Sequence, residues 1–246
     1  MTIQAQVQIT KPTESIIGIV KVNPAERKIK EVLGAGFFIN AKGIALTAKH
    51  IFDDYDDKTF TLKAVIIDRT GKTIFPDVKI IRKSINYDIT AIEVLGIVSA
   101  PFYNIQDGVL MFNRDYVSVD YSQTSITYNP STLREDVLIV PATRKGNIVI
   151  QYESNFPEKV PTKCIELSFP VLQGASGAPI MENYPPWNVV GMLTHNIERQ
   201  LVPAQTVKIR DGENYTEETK YYMPHAKAIC ASHLLDFVKD MGLAST

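Results

Sequence analysis

Short runs rich in β-branched residues recur along most of this chain, and turn residues separate them. Residues 32–39 and 44–48, for example, are joined by residues 40–43, a turn that ends in a glycine able to accept a positive φ. Helical periodicity of useful length is missing before about the last twenty residues. Short strands at this spacing predict antiparallel β-barrels, and 246 residues suffice for one large all-β domain or two small ones.

The predicted strands fall into two sets. The first set comprises residues 15–22, 32–39, 44–48, 61–68, 78–81 and 89–95. After a connection over residues 96–113, the second set comprises residues 116–121, 137–140, 147–152, 164–169, 179–181, 189–194 and either 207–210 or 221–223. The long polar segment 200–220 is predicted to be an extended hairpin or a mobile loop. We therefore expect an N-terminal barrel in residues 1–105 and a C-terminal barrel in residues 106–223.

The hydrophobic period changes after Pro224. Apolar residues then recur at spacings of three and four, and Gly242 follows the run, which predicts one amphipathic helix in the segment 224–246. The residues that carry this period are Ala226, Ile229, Cys230, Leu234, Phe237, Val238 and Met241.

Charge and composition argue against several function classes. A formal net charge of −1 gives no strong field toward nucleic acid or anionic lipid, and no apolar run approaches the roughly 20 residues of a membrane span. The first residues lack the basic and apolar regions of a secretory signal. Two cysteines, Cys164 and Cys230, form no disulfide framework, so a cytoplasmic location is expected. They also lack the pairing of a metal site, and we predict neither metal nor cofactor.

The segment 173–179, with the sequence Gln-Gly-Ala-Ser-Gly-Ala-Pro, is a tight turn that presents one hydroxyl. Gly174 and Gly177 permit backbone conformations that other residues avoid, so successive N–H groups can face one point. Such N–H groups stabilise an oxyanion, and Ser176 beside them is a candidate nucleophile. Because Gly-x-Ser-Gly also occurs in ordinary turns, this motif alone is weak.

A serine nucleophile requires a base and a group that orients the base, and candidates for both lie upstream. His50 follows a predicted strand in the context Thr-Ala-Lys-His, and Asp88 opens a predicted strand. The aspartates within residues 53–57 lie nearer to His50 in the chain, but such a charge run is typical of a solvated loop. The run also lacks the glycine and the spaced carboxylates of an EF-hand calcium loop. The chain order His, Asp, Ser is that of chymotrypsin, whereas α/β-hydrolases and subtilisin have other orders.

On these motifs the chain resembles the trypsin-like (chymotrypsin-fold) serine peptidases, and the bacterial HtrA/Deg type more than the secreted digestive enzymes. Residues 34–39 and 46–50 resemble the family's glycine-rich strand and its Leu-Thr-Ala-x-His segment. Residues 86–90 resemble its aspartate segment, 173–179 its Gly-Asp/Asn-Ser-Gly-Gly-Pro segment, and 189–194 the strand that follows. The likeness covers nearly the whole chain.

The resemblance implies two antiparallel six-stranded β-barrels with a C-terminal α-helix, and a serine endopeptidase that works through an acyl-enzyme. The triad corresponds to His50 as general base, Asp88 as orienting carboxylate and Ser176 as nucleophile, with the N–H groups of Gly174 and Ser176 as oxyanion hole. Digestive members carry an acid at the position of Ala175, and that acid pairs with a new N-terminus after zymogen cleavage. Ala175 cannot do so, and the oxyanion turn must be ordered intrinsically, by substrate or by a partner.

The resemblance also predicts the substrate contacts. The residue six positions before the serine lies at the base of the family's primary specificity pocket, and here it is Pro170. No carboxylate is available there for lysine or arginine, so cleavage after small or apolar residues is expected. Thr194, His195 and Asn196 match the strand that pairs with substrate backbone. For His195, a plain structural role is equally open. The residues predicted to contact substrate are Pro170, Val171, Gln173, Thr194, His195 and Asn196.

Two other functions stay open on the sequence alone. One is a catalytically silent peptidase fold that serves as a binding or scaffold module, and the other is an esterase with the same triad. HtrA-type enzymes usually carry a PDZ domain after the peptidase domain, and this chain stops at Thr246 without room for one. PDZ-gated regulation and trimerisation are therefore not expected. The expected partners are a protein or peptide substrate and, as an open alternative, a separate regulatory or sensor protein.

Overall fold

Residues 16–94 form one antiparallel sheet of seven strands, ordered β5-β4-β1-β2-β3-β7-β6. The strands are β1 (Ile16–Asn23), β2 (Lys28–Phe38), β3 (Ile44–Thr47), β4 (Thr61–Ile67), β5 (Thr73–Ile74), β6 (Val78–Lys83) and β7 (Thr90–Val94). This computed structural model describes residues 11, 13–26, 28–68, 70–112, 114–129, 134–155, 160–200, 204–210, 213–219 and 222–243.

The N-terminal sheet curls into a half-barrel. Lys63 in β4 forms an isolated bridge with Asp77, the residue before β6. The N–H of Ala64 donates to the carbonyl oxygen of Pro76 at 2.9 Å, so β4 and the start of β6 approach each other from different parts of the sheet. The strands of the half-barrel bury large apolar side chains, among them Ile19, Phe37, Leu46 and Ile92.

The second set of strands lies between residues 115 and 230. Six strands close into a barrel in the order β11-β12-β17-β14-β13-β8, and the other four form two hairpins, β9 with β10 and β15 with β16. The predicted all-β, chymotrypsin-like architecture with a C-terminal helix is thereby confirmed. The curled seven-stranded sheet stands in the place of the predicted N-terminal barrel. The elements are β8 (Asp115–Asp120), β9 (Ser125–Asn129), β10 (Arg134–Leu138), β11 (Ala142–Ser154), β12 (Thr162–Leu167), β13 (Pro179–Glu182), β14 (Val189–Gln200), β15 (Ala204–Arg210), β16 (Glu213–Thr219), β17 (Tyr222–Cys230) and α1 (Ala231–Asp240).

Apolar side chains cover both faces of the barrel strands that meet the N-terminal sheet. One buried cluster, which we call the inner cluster, includes Ile165, Leu167, Ile180, Leu193 and Ala228. Their neighbours in the strands belong instead to the core of the N-terminal sheet and α1, and these include Met181, Met192 and Ile229. The two halves of the molecule are therefore held together by apolar burial, which is the main favourable term in folding.

The helix begins later than its apolar spacing indicates. Residues 222–230 belong to β17, which pairs with β14 from Tyr222 opposite Gln200 to Cys230 opposite Gly191. The prediction that the helix includes Ala226 was wrong because residues 226–230 are all buried, and a strand covered on both faces shows no alternation. The segment 200–220 contains the β15–β16 hairpin, one of the two predicted alternatives. Among the described residues, no helix combines the length and apolar character needed to cross a membrane.

Candidate active site

The ends of two neighbouring strands bring His50 and Asp88 together. Thr47 at the end of β3 pairs with Thr90 at the start of β7. His50 begins a 3₁₀ turn (His50–Phe52) just after β3, and Asp88 lies just before β7. Oδ1 of Asp88 accepts a hydrogen bond from the backbone N–H of His50 at 2.8 Å, and Oδ2 lies 2.6 Å from its ring Nδ1. Strand pairing thus explains the contact between residues 38 positions apart in the chain.

The environment of Asp88 favours its ionised form. This carboxyl is only 4% exposed, and burial raises its pKa. The hydrogen bonds and charge of His50 outweigh burial, however, and hold the pKa of Asp88 below its usual range. An ionised Asp88 accepts the Nδ1 proton of His50, which leaves the lone pair of the ring on Nε2 and gives the imidazole the tautomer of a general base.

A turn between β12 and β13 presents Ser176. Gly174 and Gly177 each have a φ of 88°, in the left-handed region that favours glycine. A side chain at Gly177 would also collide, since a Cβ there would lie 2.2 Å from the carbonyl oxygen of Ala35. The carbonyl oxygen of Ser176 in turn accepts from the N–H of Ala35 at 2.8 Å. The turn is therefore packed directly against β2 of the N-terminal sheet.

This packing places the hydroxyl of Ser176 between two acceptors. Its Oγ lies 3.1 Å from Nε2 of His50 and 3.1 Å from the carbonyl oxygen of Thr194. A hydroxyl has one proton to donate, so the proton can point to only one of them at a time. When it points to His50, hydrogen bonds connect Oγ of Ser176 through the imidazole to the carboxylate of Asp88.

The same turn contains the two backbone N–H groups predicted to form an oxyanion hole, those of Gly174 and Ser176. Three of its N–H groups donate to carbonyl oxygens, namely those of Ala175, Gly177 and Ala178. Within the described part of the chain, the N–H groups of Gly174 and Ser176 make no such hydrogen bond. Unsatisfied N–H groups beside a nucleophile are the donors that stabilise an oxyanion.

His195 packs beside the His50–Asp88 pair. Its ring centroid lies 4.7 Å from that of His50, with 36° between the ring planes, and its Nδ1 lies 3.9 Å from Oδ2 of Asp88. The ligand atoms of these three residues lie within 4.8 Å of one another, and in the described part of the chain they are the one group of this kind that could hold a metal ion. A metal ion would have to replace the proton between His50 and Asp88, which lie at hydrogen-bond distance.

The strand segment 194–196 has one edge available for a further strand. It pairs with β17 on one side, and among the described strands none pairs with it on the other. The side-chain amide of Asn196 is occupied by the backbone of Val171: Oδ1 accepts from its N–H and Nδ2 donates to its carbonyl oxygen, both at 2.6 Å. Oγ1 of Thr194 donates to the carbonyl oxygen of Lys227 at 3.2 Å. The side chains of Asn196 and Thr194 thus both bind this chain's own backbone.

The predicted specificity residues differ in their surroundings. Val171 is buried in the inner cluster, Pro170 is half-buried, and Gln173 is exposed. In the barrel, the carboxylate of Glu166 is buried and is bound by Arg199 and by Nδ1 of His225 at 2.6 Å. The other small or apolar members of the inner cluster around Val171 include Ala175, Leu193, Ala226 and Ala228.

A buried polar cluster behind the serine turn escaped the sequence analysis. Asp120 at the end of β8 is fully buried, and its Oδ2 accepts from Nε of Arg144 in β11 at 2.9 Å. Nη2 of Arg144 also donates to Oγ of Ser122 at 2.6 Å, and the N–H of Ser122 donates to Oδ1 of Asp120 at 2.8 Å. The spacing Asp-x-Ser is ordinary in turns, and only the pairing of β8 with β11 brings Arg144 to it.

Cys164 and Cys230 are both buried thiols. Burial raises the pKa of the Cys230 thiol to about 11, so this thiol stays protonated near neutral pH. Since the thiolate is the nucleophilic form of cysteine, Cys230 does not compete with Ser176 for that role.

Comparison with known proteins agrees with this architecture. The family described as "Trypsin-like peptidase domain" matches residues 34–192, more than half of the chain and the span that contains all three predicted triad residues. The crystal structure of the Rv3671c protease from M. tuberculosis in its active form is similar with a TM-score of 0.57 and 13% sequence identity, over 92% of this chain and 80% of that chain. The crystal structure of Deg5 is similar with a TM-score of 0.53 and 16% identity, over 75% of this chain and 80% of that chain. No curated protein matches the chain.

Proposed function

We propose that this chain, which belongs to the trypsin-like peptidase domain family, is a serine endopeptidase. The observation that carries the proposal is the pair of contacts made by His50. Its Nε2 lies 3.1 Å from Oγ of Ser176, and its Nδ1 lies 2.6 Å from Oδ2 of Asp88. Nucleophile, base and orienting group are thus at the hydrogen-bond distances that acyl transfer by a triad requires.

In the first half-reaction, Oγ of Ser176 attacks the carbonyl carbon of the scissile peptide bond while Nε2 of His50 takes the hydroxyl proton. The π electron pair of the carbonyl moves to its oxygen, and the N–H groups of Gly174 and Ser176 stabilise the resulting oxyanion. Asp88 stabilises the imidazolium. His50 then gives the proton to the leaving amine nitrogen as the C–N bond breaks, which leaves an acyl ester on Ser176.

In the second half-reaction, water attacks the ester carbonyl and His50 takes a proton from that water. The tetrahedral intermediate breaks down by expelling Oγ of Ser176, which regains its proton from the imidazolium. The products are the starting enzyme and a carboxylic acid, which loses its proton to water. No further group is needed for this proton balance, because one imidazole serves as base and then as acid in each half-reaction.

For the binding mode, we propose that substrate backbone extends β14 at the segment 194–196. The strand pairing of this segment supports the proposal: among the described strands only β17 pairs with it, and an extended peptide adds readily to an exposed sheet edge. The side chain before the scissile bond would contact Val171 and small residues of the inner cluster such as Ala226 and Ala228. These surroundings are apolar, and the Glu166 carboxylate is already bound to Arg199. Cleavage after small or apolar residues follows.

Peptide hydrolysis by purified chain tests the proposal. Wild type is expected to cleave peptides after small or apolar residues, and Ser176→Ala is expected to lose at least about 10⁴-fold in kcat because the nucleophile is gone. Ser99→Ala changes an exposed serine and serves as the matched control with wild-type rates. Full peptidase activity in Ser176→Ala would refute the triad. Ester cleavage without peptide cleavage would favour an esterase, and a folded wild type without either activity would favour a binding module.

A further inference from the structure

We infer that Arg144 is a positioning residue for the oxyanion turn, and that it acts by holding Ser122 against the back of Gly174. The inference rests on the proposed function, because that function is what makes this turn an oxyanion hole. The packing that orders the turn is a property of the fold, and it can be measured separately.

Three hydrogen bonds fix Ser122 within the polar cluster. Oδ1 of Asp120 accepts from the backbone N–H of Ser122 at 2.8 Å, and Nη2 of Arg144 donates to Oγ of Ser122 at 2.6 Å. Nε of the same guanidinium donates to Oδ2 of Asp120 at 2.9 Å and closes the ring of contacts. Both the backbone and the side chain of Ser122 are therefore held by groups that are buried or nearly so, with side-chain exposures of 0% for Asp120 and 16% for Arg144.

Ser122 lies against the residue whose N–H is a proposed oxyanion donor. A Cβ placed on Gly174 would be 3.3 Å from Cα of Ser122 and 3.4 Å from Cγ1 of Val32. Ser122 of the polar cluster and Val32 of β2 thus both lie against the face of Gly174 that a Cβ would occupy. Since the direction of its N–H depends on the backbone angles of the turn, the positions of these two neighbours determine where that donor points.

Energetics favour a positioning role for this ion pair. A buried ion pair loses hydration on folding, and its net contribution to stability is often near zero compared with apolar side chains of the same volume. A guanidinium that donates to two partners does fix their relative positions, however, because its N–H groups lie in one rigid plane. Lys145 provides the contrast: it joins the same two strands through Asp115 at 2.6 Å, but both side chains of that pair are about half exposed.

The inference decides among three ways of ordering the turn that the sequence leaves open. Ala175 is fully buried and offers no charge to an incoming terminus. The Asp120–Arg144 pair belongs to the same chain and is already formed against Ser122. The inference therefore assigns the order of the turn to the chain itself, in preference to bound substrate or a partner protein.

Enzyme kinetics test the role through the reaction. Arg144→Met is expected to lower kcat about ten- to a hundredfold, a part of what an oxyanion donor contributes, with KM changed less than about twofold. Lys145→Met, its matched control on the neighbouring residue, is expected to keep wild-type values.

The double variant Asp120→Asn/Arg144→Met leaves no unpaired buried charge, and it should show the same fall in kcat. Ser122→Ala, which removes one hydrogen bond, should lie between wild type and Arg144→Met. Wild-type kcat in folded Arg144→Met and in the double variant would overturn the inference.

Hydrogen exchange tests the same role without any turnover. The amides of Ala175 and Ala178 donate within the turn, to Leu172 and to Ala175, and report its order. Their exchange is expected to be at least about tenfold faster in Arg144→Met than in wild type, and unchanged in Lys145→Met. Equal exchange in wild type and Arg144→Met overturns the inference even in an active enzyme. If wild type hydrolyses nothing, the proposed function fails, and the exchange rates still decide whether Arg144 orders the turn.

Discussion

The two halves of the candidate site are built in different ways. In the N-terminal half, the pairing of β3 with β7 places His50 and Asp88 side by side, and the two residues bond directly to each other through backbone and ring. In the C-terminal half, Ser176 lies on a turn outside the strands, and its position depends on Gly177 fitting against Ala35. The general base is thus placed by secondary structure, whereas the nucleophile is placed by contacts across the junction of the two halves.

This difference has a consequence for mutations. Changes to Asp88 can remove its chemistry while the strands around it stay paired, because the ladder of β3 and β7 uses backbone groups. Changes in the serine turn act on packing and on chemistry together, because Ala35 and Ser176 bond across the junction. In the first half, activity is expected to be lost while the secondary structure is kept, and in the second half activity and packing are expected to be lost together.

The largest effect is expected from Asp88→Asn. An amide at this position can still accept from the backbone N–H of His50, but it no longer favours the tautomer with a proton on Nδ1. We expect kcat to fall about 10⁴-fold, with little change in the far-ultraviolet circular dichroism spectrum. Asp77→Asn changes an exposed aspartate and is the control. An Asp88→Asn enzyme within tenfold of wild type would show that this carboxylate does not orient the base.

The next largest effect tests the coupling in the second half. Gly177→Ala combines a positive φ with a Cβ 2.2 Å from the carbonyl oxygen of Ala35, and we expect it to lose at least about 3 kcal/mol of unfolding free energy together with most activity. Gly71→Ala has a similar φ of 83° and no atom within 4 Å of the new Cβ, so it should lose about 1 kcal/mol and stay active. Urea unfolding measures both. Equal losses in the two variants would mean that contact with the N-terminal sheet is unimportant.

A pH series compares a buried carboxylate from each half. The pKa of Asp88 is lowered by His50 against the effect of burial, and the pKa of Glu166 is lowered first by its hydrogen bond with Arg199. A carboxyl whose pKa is lower in the folded chain stabilises it fully above the unfolded value near 4, and this stabilisation is lost as pH falls through the folded-state pKa.

The unfolding free energies of wild type and Asp88→Asn should therefore differ most above about pH 5 and converge as pH falls through the folded-state pKa of Asp88. Glu166→Gln should behave in the same way, which would place acid sensitivity in both halves. Urea unfolding at several pH values measures the two differences. A difference that does not depend on pH would show that the ionised form of that carboxylate contributes nothing to stability.

The smallest effect is expected from His195→Ala. The ring of His195 supports that of His50 by packing at 4.7 Å, and the loss of a ring pair costs roughly 0.5–1.5 kcal/mol, about two- to tenfold in kcat/KM. His195→Phe keeps a ring in place and should retain more activity than the alanine variant. If both variants lose activity equally, a property particular to histidine is required at this position.

Much of the site could be predicted from the sequence because its chemistry requires particular residue types in particular local contexts. Ser176 between Gly174 and Gly177, and His50 just after a strand, are local patterns that need no knowledge of distant residues. The structure places these side chains, together with Asp88, within hydrogen-bond distance of one another. Their proposed roles remain predictions.

Features that depend on pairing between distant segments could not be predicted. Arg144 reaches Asp120 across 24 residues only because β11 lies beside β8, and neither residue has a distinctive local sequence. The contact of His195 with His50 likewise depends on how the two halves meet. The start of α1 was misplaced for a related reason, since the burial of β17 on both faces removes the period by which a strand is recognised.

The central claim is that Ser176 is a nucleophile activated by His50. Its most direct test is to treat the chain with a fluorophosphonate and to locate the adduct by peptide mass spectrometry. The account predicts one adduct on Oγ of Ser176 in wild type, and labelling slower by orders of magnitude in His50→Gln. An adduct on another residue, or equally fast labelling of Ser176 in His50→Gln, would contradict it.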